Sequence, residues 1–106
     1  MSVLTGNQVQ EIFELAKKKK FALPAVNVIG SSSINATLET AAKLNAPVII
    51  QFSNGGGSFN AGKGLGNIDQ IASIKGSIAG AKHVHELSKE YNATVLLHTD
   101  HASRKL

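Results

Sequence analysis

An α/β fold built on a parallel sheet is the architecture this sequence predicts, and three observations predict it. Apolar residues at helical spacing alternate with short β-branched runs, in the order helix, strand, helix, strand, helix, strand. The strand-like runs are almost continuously apolar, as in strands buried on both faces. Each gives way to polar residues at its carboxyl end, where ligands and catalytic groups collect in such folds. Three strands do not finish a sheet of this kind. It can close as an eight-stranded barrel or stay open and doubly wound, and periodicity does not choose between them. Both need more chain to cover the sheet and protect its edges.

Val9, Ile12, Phe13 and Ala16 lie at i, i+3, i+4 and i+7, which predicts an amphipathic helix from about Asn7 to Lys19 with Thr5 or Asn7 as its cap. Phe21 to Val28 reads as extended, because Pro24 disfavours helix and suits the start of a strand or an irregular one. Gly30 and the triple Ser31, Ser32 and Ser33 break that run and supply an N-cap for a helix carrying Ile34, Leu38, Ala41, Ala42 and Asn45. Pro47 to Ser53 is too short and too β-branched to prefer helix, so it is the second strand. Residues 54–67 hold most of the glycines and read as a long loop, of a length that usually has a task. Ile71, Ile74, Ile78, Ala81 and Val84 form the stripe of a last helix, in which Gly76 and Gly80 leave a flat surface for close packing. Asn92 ends it, and the third strand begins at Thr94.

The composition narrows the function classes. One hundred and six residues with 42% hydrophobic content suit one small domain with an aliphatic core. The net charge of +4 is concentrated in Lys17 to Lys20, at the end of the first helix, where cations complement the helix dipole. The repeated basic stripe with interleaved aromatics of a nucleic-acid surface is absent, so no nucleic-acid partner is expected. With no cysteine, disulfides and thiolate metal sites are excluded. No membrane span and no export signal are evident, which makes the cytoplasm the expected location and a membrane partner unexpected.

Chemistry concentrates at Asp100 and His101, where the apolar run from Thr94 ends in a carboxylate beside an imidazole. A carboxylate can exchange protons and a neutral imidazole can bind a metal. The bland alternative is a capping Asp and a solvated His. His98 lies two residues earlier on the same strand face and is a second candidate. Asn27 and Ser53, near the ends of the first two strands, stand at the level of Asp100, although an ordinary strand-to-helix turn also favours Asn and Ser. Gly57, Gly62 and Lys63 approach the spacing of a phosphate-cradling loop, but Gly64 stands where the required hydroxyl would be and the glycines interrupt the following helix. His83 and His85 diverge by roughly 200° on a helix and cannot share a metal.

The blocks that contain these residues resemble those of the class II, metal-dependent fructose-bisphosphate aldolases. They are Phe21 to Asn27, Ser33 to Ala42, Ala46 to Gly56, Ala61 to Gly64 and His98 to His101, in the family's order, with Ala102 in place of the family's usual cysteine. The resemblance implies the first three strands of a (β/α)8 TIM barrel preceded by an N-terminal capping helix, all 106 residues being an incomplete part of one barrel domain. It implies Asp100 as the catalytic acid and base, His101 as a ligand of zinc or another divalent metal, and Ser53 and Asn27 as substrate-binding residues. A phosphorylated sugar substrate and a homodimeric full-length subunit are implied with it, the chain alone being expected to be inactive. Two alternatives stay open: a related aldolase for another ketose bisphosphate, and a fragment that acts only through assembly or binding.

Overall fold

Three runs of the chain become parallel neighbours in a computed structural model that describes residues 2–102: β1 (Ala25–Asn27), β2 (Val48–Ser53) and β3 (Val95–Asp100). The sheet order is β1-β2-β3, with Ala25 opposite Ile49, Asn27 opposite Gln51, and Ser53 opposite Asp100. The central strand is the best formed, because its Val and Ile residues favour the pleated surface and both neighbours satisfy its backbone. The extended stretch after Phe21 is a strand only over three residues.

Helices α1 (Asn7–Lys19), α2 (Ser31–Leu44), α3 (Asn54–Ala61) and α4 (Ile71–Tyr91) connect or precede the strands. Strict alternation on β2 sends Val48, Ile50 and Phe52 to one face, where they bury against Ile34, Leu38 and Ala41 of α2 and Val84 of α4. The opposite face carries Ile49, Gln51 and Ser53, in register with Leu96, His98 and Asp100. Over that face, Val9 and Phe13 of α1 line a cavity of about 360 Å³ with Ile49, Gln51, Leu96 and His98. Ile12 of α1 shares another with Pro47 and Thr94, which precede β2 and β3. Helix α1 therefore lies over this face and reaches the residues at the amino-terminal end of the sheet.

The cap of α1 differs from the Thr5 or Asn7 that the sequence suggested. Gly6 and Gly30 are the N-caps of α1 and α2, neither with a side-chain cap. The N-terminus of α2 is served instead by Ser33, whose hydroxyl accepts from the backbone N–H groups of Ile29 and Gly30 at 3.0 and 3.2 Å. Lys20, Asn45 and Asn92 end their helices in the left-handed conformation, which asparagine tolerates better than lysine.

Two corrections concern packing. The glycine-dense stretch is not one long loop, since Asn54 to Ala61 form α3 and only residues 62–67 connect it to the 3-10 turn Ile68–Gln70. Glycine disfavours helix by ~1 kcal/mol per residue relative to alanine, so tertiary contact must stabilise α3. The contact is visible at Gly57 and Gly76: a Cβ on Gly76 would overlap the Gly57 carbonyl oxygen. The second correction is the face α4 buries. Ile71, Ile74 and Ile78 are exposed, and the buried side is Ala72, Ser73, Gly76, Gly80, Val84 and Ser88. Small residues let α3 and Phe52 approach the helix closely, which the expectation for Gly76 and Gly80 anticipated and the isoleucine stripe did not.

Candidate active site

The last residues of all three strands come together at the carboxyl end of the sheet. Asn27 Nδ2 donates to Asp100 Oδ2 at 3.1 Å across the space in front of β2. Gln51 Nε2 donates to Asn27 Oδ1 at 2.8 Å, and His98 Nδ1 is 3.1 Å from Gln51 Oε1. The row Asp100, Asn27, Gln51, His98 is thus one hydrogen-bonded chain on a single sheet face, produced by parallel pairing of residues two apart on each strand.

The direction of that chain follows from what each group can do. An ionised carboxylate only accepts, so Asn27 must aim its NH2 at Asp100 and is left with its oxygen for Gln51. Gln51 must then present NH2 to Asn27 and its oxygen to His98. The His98 ring consequently carries a proton on Nδ1, and its Nε2 holds the lone pair when the ring is neutral.

Asp100 keeps a quarter of its side-chain surface exposed while accepting from Asn27. Its other oxygen, Oδ1, lies 3.6 Å from His101 Nε2. His101 itself has a left-handed backbone (φ 53°) and a side chain 92% exposed. Among the described residues no three His, Cys, Asp or Glu side chains are grouped to hold a metal ion.

Ser53 closes the rim beside Asp100. It is the N-cap of α3, its hydroxyl accepting from Gly56 N–H at 3.0 Å, so the hydroxyl proton remains to be donated outward. The structure therefore gathers Asn27, Ser53, Asp100 and His101 at one end of the sheet. Sequence reasoning passed over Gln51, which links Asn27 to His98. The signal for it was register: it shares the face of Ser53, two residues earlier in the same strand.

The other histidines are elsewhere. His83 Nε2 is 2.8 Å from Asn35 Oδ1, a bond between α4 and α2, in keeping with a packing role. Lys63 lies 6.0 Å from the centre of the Phe59 ring, at the outer limit of a cation–π contact, and lines none of the site's bonds.

The chain is similar to known proteins along nearly its whole length. The family model for fructose-bisphosphate aldolase class-II matches residues 7–105. The chain is 58% identical over 105 residues to fructose-bisphosphate aldolase class 2 of Escherichia coli, covering 98% of this chain and 29% of that protein. It is 56% identical to fructose-bisphosphate aldolase of Campylobacter jejuni over 104 residues, 98% of this chain and 28% of the relative. A crystal structure of fructose-bisphosphate aldolase from Campylobacter jejuni superposes with a TM-score of 0.91 at 55% identity, over 99% of this chain and 29% of that one. The chain thus spans under a third of the length of these relatives. On the family match and the shared fold together, this chain belongs to the class-II fructose-bisphosphate aldolase family.

Proposed function

We propose that these residues form the first three strands of a (β/α)8 aldolase subunit that cleaves and re-forms the carbon–carbon bond of fructose 1,6-bisphosphate, giving dihydroxyacetone phosphate and glyceraldehyde 3-phosphate. The observation that carries the reading is the 3.1 Å bond from Asn27 to Asp100 at the rim, with His101 alongside, in a chain of this family. Cleavage requires a base for the C4 hydroxyl proton, and condensation requires the same group to return it. Asp100 fills this role: Asn27 holds one carboxylate oxygen, and the other, 3.6 Å from His101 Nε2, is left to meet the substrate hydroxyl. Ser53 donates its hydroxyl proton to the glyceraldehyde-phosphate end of the substrate, and Asn27 lies close to the substrate while it orients Asp100.

His101 is the residue of this chain that would hold zinc or another divalent metal. It is exposed and needs no repacking to offer a nitrogen. Bound there, such an ion would act as a Lewis acid toward the ketose carbonyl. One imidazole does not complete a site, so the isolated 106 residues are expected to be inactive. The complete subunit is read as a cytoplasmic homodimer.

The test is an aldolase assay on the complete subunit, with metal content measured in parallel. Asp100→Ala should lose turnover and keep its metal, whereas His101→Ala should lose the metal. Full activity of Asp100→Ala would overturn the assignment of Asp100, and turnover by residues 1–106 alone that Asp100→Ala abolishes would overturn the expectation that the isolated residues are inactive.

A further inference from the structure

The most heavily bonded polar cluster outside the site lies where α3 meets the start of α4. Asn54, the first residue of α3, is held from both its backbone and its side chain: its carbonyl accepts from Ser73 Oγ at 3.0 Å, and its Nδ2 donates to Gln70 Oε1 at 2.9 Å. Asn67 completes the cluster. Its Oδ1 accepts from Ser73 N–H at 3.1 Å, while its Nδ2 lies 3.2 Å from Ser73 Oγ and 3.4 Å from Gln70 Oε1. Ser73 is buried, and Asp69 and Gln70 both adopt left-handed backbone, φ 53° and 62°, which non-glycine residues adopt at an energetic cost.

Holding the two helices together does not account for this expense, because α3 and α4 are already joined further along. Gly57 packs against Gly76, and Asn60 Nδ2 donates to the Gly76 carbonyl at 2.8 Å. What the cluster adds is a fixed position for residue 54, one peptide from Ser53. The Ser53 hydroxyl is placed by β2 on one side and by its bond to Gly56 N–H within α3 on the other. If the first turn of α3 shifts, the hydroxyl shifts with it.

We infer that Asn67, Gln70 and Ser73 form a clasp that positions the Ser53 hydroxyl for the phosphorylated substrate. This rests on the reading of Ser53 as a substrate-binding residue. Gln70 and Ser73 are positioning residues: they act through Asn54, and the quantity they set is substrate affinity more than the chemical step at Asp100.

The test uses steady-state kinetics of the complete subunit with Ser53→Ala, Gln70→Ala, the double variant and Gln70→Glu, each with its thermal midpoint. Removing one hydrogen-bonding partner corresponds to about a fivefold rise in KM for Gln70→Ala, with kcat held within about twofold. Both amide donors to Gln70 use the single acceptor Oε1, which glutamate retains, so Gln70→Glu should restore KM. Because both changes act through one hydroxyl, the double variant should be no worse than Ser53→Ala alone. A lowered thermal midpoint with unchanged KM, or fully additive effects of Ser53→Ala and Gln70→Ala, would overturn the clasp while leaving Ser53 as a substrate residue. An unchanged KM in Ser53→Ala would overturn the reading of Ser53 itself and the clasp with it. Should Gln70→Ala not fold, Ser73→Ala carries the same kinetic expectation, and failure of both to fold would reduce the cluster to a structural role.

Discussion

At the scale of single residues, the geometry turns on one amide. Asn27 has to donate to Asp100 and accept from Gln51, so no side chain without both functions can replace it. Asn27→Ala in the complete subunit should leave the Gln51 amide without its partner and Asp100 less constrained, lowering kcat about tenfold with metal content unchanged, as steady-state kinetics and metal analysis would show. On the proposed role of Asp100 as general base, Asp100→Asn keeps the shape but removes the proton acceptor. Loss of a general base corresponds to a fall in kcat of about 10²- to 10⁴-fold, and a smaller loss would argue against Asp100 in that role. A third prediction lies in the core. Ser88 is fully buried, and its hydroxyl has no hydrogen-bond partner among the described residues. Ser88→Ala removes a desolvated polar atom and should raise stability by ~1 kcal/mol, read from the denaturation midpoint.

At the scale of elements, the informative pair is α3 and α4. A glycine-rich octapeptide becomes helical because the partner surface demands that its backbone come close, with Gly57 and Gly76 in direct contact and Gly80 under the Phe52 ring. Gly76→Ala would press a methyl group into the Gly57 carbonyl and should destabilise by about 3 kcal/mol or more, since backbone cannot yield as a flexible side chain does. Gly64→Ala is the control: a Cβ there meets nothing within 4 Å, and its midpoint should stay within ~0.5 kcal/mol of the parent. The contact of Gly57 with Gly76 holds α3 along α4 beyond its first turn.

At the scale of the whole molecule, the chain is a slab with principal extents of 44 × 30 × 19 Å. Its radius of gyration of 14.2 Å exceeds the ~13 Å of a compact globule of this length. Helices α2, α3 and α4 cover one sheet face, and the other holds the polar row under α1. Among the described residues the edge of β1 is open, while that of β3 is met only near its start, where Val3 bridges Val95. Leu44 and Ile68 are 71% and 80% exposed, and Ile71, Ile74 and Ile78 stand out along α4. Open edges and an exposed apolar stripe favour association, so the isolated 106 residues should sediment above their 11.1 kDa monomer mass at micromolar concentration. A sharp monomer boundary would show that these surfaces are tolerated in water.

The sequence by itself determined the order of the three strands and of α1, α2 and α4, the parallel sense of the sheet, the strand ends at which Asn27, Ser53 and Asp100 stand, and, through its ordered blocks, the family. These are local or pattern properties: a period of two or 3.6, a turn residue, a motif. Tertiary structure alone decided that residues 54–61 are helical, that α4 buries its small residues instead of its isoleucines, and that Gln51 bridges Asn27 to His98. Each of those depends on what lies opposite in space. Glycine reads as loop until another backbone fills the room its missing side chain leaves, and a strand's polar residue gains its partner only when register sets a neighbour beside it.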